Sequence, residues 1–188
     1  MSNQQIYIFE GPDGCGKTEI ARAFCDRRYL KYFKVSTEKE NWKTDAFQNS
    51  LVFDLLLPQF VRATGQSFVS DRGYPSEWVY SQVFGRETDM NMLKTIDEQF
   101  ATLGTTIVLF KRRDYSKNRA DELVPNERLM DLDIMYDIFA RWTKCNVVTM
   151  YVDDFGNDIG QQLPQLIAAA EMLFTTRTRG KITLTLGA

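Results

Sequence analysis

Five short runs rich in β-branched and aromatic residues recur along this chain, at Ile6 to Phe9, Phe33 to Val35, Phe68 to Val69, Ile107 to Phe110 and Val147 to Val152. Longer segments with helical periodicity separate or follow them: Thr18 to Tyr29, Asp45 to Ala63, Ser76 to Phe84, Asn91 to Thr102, Leu129 to Thr143 and Ile159 to Phe174. Apolar residues returning every three to four positions bury one face of a helix, whereas short continuous apolar runs suit strands covered on both sides. The alternation predicts an α/β unit in which a parallel sheet is covered by helices on both faces. At 188 residues and 44% apolar content, the chain can bury one good core and is too short for two ordinary domains, so positions 1–188 read as one domain. Thr183 to Leu186 looks like a short extra strand at an edge.

The turn after the first run carries chemistry. Gly11-Pro12-Asp13-Gly14-Cys15-Gly16-Lys17-Thr18 fits G-x-x-x-x-G-K-[ST] at every fixed position, follows a predicted strand and opens a predicted helix. Glycines let the backbone wrap a phosphate closely, and successive N–H groups with the helix N-terminus supply fixed positive potential. Gly11, Asp13, Gly14, Cys15, Gly16, Lys17 and Thr18 are therefore expected to bind ATP, with Lys17 reaching the β- and γ-phosphates and Thr18 a magnesium ion. Cys15 reads as a small residue that fits the loop. Phe68-Val69-Ser70-Asp71 is a second strand ending in a carboxylate, where an open parallel sheet places its ligand crevice. Asp71 there could hold magnesium through water or accept a proton from an acceptor.

Composition excludes several other chemistries. Lys and Arg total 23 against 25 Asp and Glu, so no overall positive field draws the chain to nucleic acid or an anionic membrane. There is no histidine, which removes imidazole-based hydrolysis. The three cysteines are widely spaced, against a disulfide scaffold or a structural zinc site. Neither a signal peptide nor a membrane span is legible, and a cytoplasmic location is expected. The most polar stretch, Lys111 to Arg128, holds two lysines and four arginines between a strand and a helix and reads as an arginine-bearing loop.

The residues Asp71-Arg72-Gly73-Tyr74-Pro75-Ser76-Glu77-Trp78-Val79-Tyr80 have the form D-R-x-x-x-S-x-x-x-Y. With Glu10, Gly11, Asp13, Gly16 and Lys17 matching E-G-x-D/E-x-x-G-K, the chain resembles the thymidylate kinases and, less closely, the deoxynucleoside kinases. The order of motifs continues through the arginine-rich segment and Tyr136 in the helix after it. That resemblance implies a three-layer P-loop kinase fold with five parallel strands in the order 2-3-1-4-5, and a lid at about 111–128. It also implies that Asp13 touches the acceptor sugar, Arg72 holds the acceptor phosphate, Ser76 and Tyr80 line the acceptor pocket, and Phe47 is the platform for the base. Gly14 stands where some relatives carry a catalytic arginine, so the transition-state arginine must come from Arg112, Arg113, Arg119 or Arg128, with Arg113 and Arg119 preferred. Lys17 and Asp71 complete the catalytic set. Relatives often pair, so a homodimer is among the expectations.

Two departures bear on the base: Leu51 falls where many relatives have an arginine that reads thymine, and Ser81 where they have Gln, Thr or Asn. Thr37-Glu38-Lys39-Glu40-Asn41-Trp42 pulls toward the deoxynucleoside kinases, where a Glu after the second strand serves as base for the sugar 5′-hydroxyl. A hydroxyl needs such a base, whereas a phosphate oxygen is already ionised and needs only orientation. Lys39 beside Glu38 suits a phosphate-bearing acceptor. The expected reaction is transfer from ATP with Mg²⁺ to a deoxynucleoside monophosphate. The alternatives are a deoxynucleoside kinase, a kinase of hydroxymethylated bases in DNA, and a nucleotide-binding module that transfers nothing.

Overall fold

The computed structural model describes residues 4–34, 46–112, 115, 124, 126–151, 163–169, 172 and 180–185, with positions 46–50, 126, 184 and 185 described through the backbone alone. Glu38, Lys39, Trp42, Arg113 and Arg119 lie outside the described residues, and so does the side chain of Phe47.

The chain runs β1 (Ile6–Glu10), α1 (Lys17–Arg28), β2 (Lys31–Lys34), α2 (Ala46–Thr64), β3 (Phe68–Asp71), α3 (Tyr74–Phe84), α4 (Met90–Thr102), β4 (Thr106–Lys111), α5 (Asn126–Trp142), β5 (Asn146–Tyr151) and β6 (Lys181–Thr185). Residues 163–169 are helical as well. All six strands join one sheet in the order β2-β3-β1-β4-β5-β6, and every pairing is parallel. The first five keep the expected 2-3-1-4-5 order. The sheet itself has six strands rather than five, because the C-terminal apolar run pairs with β5 in register from Val147 against Lys181 to Tyr151 against Thr185.

β1 and β4 are buried along their whole length, which is why apolar residues run on from Ile6 to Phe9 and from Ile107 to Phe110 rather than alternating with polar ones. Tyr7 and Phe9 pack on Phe24 of α1, with ring centroids 4.9 and 5.6 Å apart. Tyr74 and Trp78 of α3 meet Phe139 and Trp142 of α5 in an aromatic cluster. Asp97 on α4 fixes the near end of that cluster: it accepts from the Tyr74 hydroxyl at 2.7 Å, from the Thr143 hydroxyl and from the Lys144 amide at 2.9 Å. Among the described residues no helix is long and apolar enough to cross a membrane.

β1 lies between β3 and β4, whereas the chain leaves β1 for β2 on the far side of β3. The carboxyl ends of β1 and β3 therefore stand side by side at a point where the chain switches direction across the sheet, the place where such sheets open a crevice. Phe9 is level with Asp71, which brings the loop after β1 against the turn after β3.

Candidate active site

Gly11 begins the loop with φ of 138°, and a Cβ there would sit 2.1 Å from the Phe110 carbonyl oxygen. Only glycine lets the chain pass that close to β4. Gly14 and Gly16 also have positive φ, at 78° and 67°, and Gly16 is the residue before the first turn of α1. The loop thus leads back to the N-terminus of α1, where the helix dipole places partial positive charge. Lys17, buried at the first position of α1, donates to the Pro12 carbonyl at 2.7 Å. Burial and the nearby Arg72 guanidinium hold its ammonium below the usual lysine range, with Asp13 pulling the other way.

Cys15 is buried, its sulfur 3.9 Å from the Tyr115 hydroxyl. Burial pushes its thiol up, so it is an inert residue filling the loop. Tyr115 in turn donates to Asp133 at 2.6 Å and accepts from the Arg112 amide at 3.2 Å. Lys111, buried at the end of β4, pairs with Asp133 at 2.9 Å and Asp137 at 2.6 Å. The start of the arginine-rich segment is in this way fastened to β4, α5 and the glycine loop.

At the end of β3, the Thr18 hydroxyl donates to Asp71 Oδ2 at 2.6 Å. A hydroxyl and a carboxylate in contact beside the glycine loop are hard oxygen donors of the kind that fit a magnesium ion. The Tyr32 hydroxyl reaches the same Oδ2 from β2 at 2.7 Å. Burial and the Asp71 carboxylate push that phenol up to about 12, so it remains a donor at neutral pH.

Arg72 follows with φ of 73°, a left-handed conformation that costs a non-glycine residue about 1–2 kcal/mol. The turn is held in that conformation: the Arg72 amide donates to the Phe9 carbonyl at 3.0 Å, and the Arg72 carbonyl accepts from the Ser70 hydroxyl at 2.6 Å. The result aims the guanidinium across the loop. It pairs with Asp13, donates to the Ser76 hydroxyl at 3.0 Å and lies 5.6 Å from the centre of the Tyr80 ring. The Tyr80 hydroxyl closes the cluster with a 3.1 Å bond to Asp13. Burial favours the neutral form of Asp13, yet Arg72 and Lys17 together outweigh it and keep the carboxyl below its ordinary range.

Beneath this cluster lies Glu10, fully buried. It accepts from the Gly73 amide at 2.8 Å, the Ser76 amide at 3.3 Å, the Ser76 hydroxyl at 2.7 Å and the Tyr136 hydroxyl at 3.0 Å, with Arg72 at 3.8 Å. Burial raises its pKa, although Arg72 and these donors oppose the effect. The carboxylate ties β1, the turn into α3 and α5 together under the guanidinium. In the sequence, Glu10 and Tyr136 stand only as matches to the family pattern; their contact spans 126 positions, and no local signal announces it.

Of the expected site residues, Asp13, Lys17, Thr18, Asp71, Arg72, Ser76 and Tyr80 converge. Arg128 does not join them; it lies on the exposed side of α5 paired with Asp131 at 2.9 Å. Ser81 is buried with its hydroxyl on the Trp78 carbonyl at 3.0 Å, and Leu51 is core.

A parallel sheet with β1 central, a glycine loop opening α1 and a carboxylate ending β3 is the fold of the P-loop kinases. The chain is similar to the YorR protein of Bacillus subtilis solved with phosphorylated GDP, at 18% identity and a TM-score of 0.62 over 89% of this chain and 96% of that one. It is also similar to thymidylate kinase from Candida albicans, at 15% identity and a TM-score of 0.56 over 93% and 92%. A third similar structure is deoxyadenosine kinase from M. mycoides, at 14% identity and a TM-score of 0.54 over 90% and 100%. No protein-family model and no curated protein sequence matches the chain.

Proposed function

We propose that this protein is an ATP-dependent kinase of a deoxynucleoside monophosphate. The observation that carries the reading is Arg72: a guanidinium held by a strained turn, with Asp13, Ser76 and Tyr80 around it, at the mouth of the phosphate-binding loop. A planar cation preorganised beside the γ-phosphate position is what an acceptor phosphate requires, because its attacking oxygen is already charged and needs placement more than activation. The kinship of fold with thymidylate and deoxyadenosine kinases supports a nucleotide or nucleoside acceptor.

In this reading Lys17 leaves the Pro12 carbonyl for the β- and γ-phosphates, and the loop amides hold them in line with the acceptor. Thr18 and Asp71 would hold a magnesium ion, which neutralises charge on the transferring group. Asp13 meets the acceptor sugar, while Tyr80, bonded to Asp13, and Ser76, bonded to Arg72, keep the guanidinium in place. Arginines of the segment after β4, Arg113 and Arg119, close over the charge in flight. Glu38, Lys39 and Phe47 complete the acceptor side, with Lys39 on the phosphate and Phe47 beneath the base.

Arg72→Ala tests the reading. A charge-assisted hydrogen bond contributes about 1.5–3 kcal/mol, so the KM for a monophosphate is expected to rise roughly tenfold or more. Unchanged KM and kcat in steady-state assays would remove Arg72 from the acceptor site.

A further inference from the structure

We propose that Tyr32 is a positioning residue of the transfer centre, fixing Asp71 by one carboxylate oxygen so that the other is presented to the metal. The inference rests on the reading of Thr18 and Asp71 as a magnesium site. β2 is an edge strand, and its residues alternate in facing: Phe33 packs edge-on against Phe68 at 5.5 Å, while Tyr32 turns to the α1 side, where Arg22 lies 5.6 Å from its ring. Tyr32 is level with Val69 in the β2 and β3 register, two residues short of Asp71. The length of the phenol carries its hydroxyl along the sheet to the end of β3.

There it meets an acceptor already engaged. Tyr32 and Thr18 both donate to Oδ2, at 2.7 and 2.6 Å, and Oδ1 takes no hydrogen bond from any described residue. Two donors on one oxygen leave it little capacity for a third, so a metal-bound water must use Oδ1. They also lock the carboxylate rotamer, from α1 on one side and the edge strand on the other. Outer partners of this kind orient a ligand without touching the metal, and their loss typically costs about 10–100-fold in metal affinity or activity. Tyr32 is only partly buried, so its hydroxyl is not needed to fill the core.

The test is calorimetric titration of ATP into wild type, Tyr32→Phe, Asp71→Asn and the double variant, each in magnesium and in EDTA. Expected is a roughly tenfold loss of the magnesium-dependent part of ATP affinity in Tyr32→Phe, with unchanged affinity in EDTA and a wild-type melting temperature. In the Asp71→Asn background the second change should add nothing, since the phenol acts through that carboxylate. Wild-type magnesium dependence in Tyr32→Phe, an equal loss in EDTA, additivity with Asp71→Asn, or failure of Tyr32→Phe to fold would each overturn the proposal and leave the metal site standing. Absence of any magnesium dependence in wild type would overturn the metal site itself, and the proposal with it.

Discussion

Asp54 holds a carboxyl where water does not reach. It is buried on α2, one oxygen has no hydrogen-bond partner, and both lie under 4 Å from where a Cβ on Gly73 would be. Burial, reinforced by the nearby Glu10, pushes its pKa up to about 8, against the amide of Tyr74 that favours the charge. The folded chain then keeps a proton that the unfolded chain loses near pH 4. Stability contributed by this proton is complete below the unfolded value and declines as pH rises toward 8, by about 1.4 kcal/mol per unit and a few kcal/mol in all. Asp54→Asn should flatten that decline, with a gain of a few kcal/mol at pH 8 and little change at pH 4. Urea melts from pH 4 to 8 check this; parallel profiles for the two proteins would contradict it.

Among the elements, the loop between β1 and α1 makes the most specific demand on its sequence. Gly11 has no room for a methyl group against the Phe110 carbonyl, which is backbone and cannot rotate away. Gly11→Ala should destabilise the fold by at least about 2–3 kcal/mol. Gly85→Ala, with φ of 63° and nothing within 4 Å, should cost about 1 kcal/mol. Equal denaturation midpoints would refute the close packing of loop and strand. Gly11 was legible in the sequence because the G-x-x-x-x-G-K-[ST] pattern fixes both its position and its backbone. The strands were legible through their continuous burial, and their ends less so: β2 starts at Lys31 rather than Phe33, and α3 at Tyr74 rather than Ser76. Charged Lys31 and Lys34 flank an edge strand, where exposure removes the apolar signal. The α3 start was obscured by Pro75, which is well placed in a first helical turn but reads as a break. Asp13, Arg72, Ser76 and Tyr80 were readable through the two motifs the resemblance rests on, although Asp13 meets Arg72 and Tyr80 only when β1 pairs with β3. The contacts of Tyr32, Asp54 and Tyr136 were not readable, since they too form only in the folded chain and no motif announces them.

For the whole molecule, the sheet order brings the loop and the Arg72 cluster to one end of the sheet, and under the proposed function the acceptor decides what the protein does. A 5′-hydroxyl has to lose a proton as it attacks, and a positioned carboxylate typically accelerates that step by about 10²–10⁴-fold. A phosphate acceptor leaves Glu38 with at most an arranging role, worth less than about tenfold. The most direct measurement is therefore phosphoryl transfer from ATP and magnesium to a panel of deoxynucleosides, their monophosphates and a DNA duplex, run with wild type and Glu38→Gln. We predict diphosphate formed from a monophosphate far faster than any other product, with a less than roughly tenfold loss in Glu38→Gln. Preference for a nucleoside, with kcat lowered about a hundredfold or more in folded Glu38→Gln, would contradict the account and make the protein a nucleoside kinase.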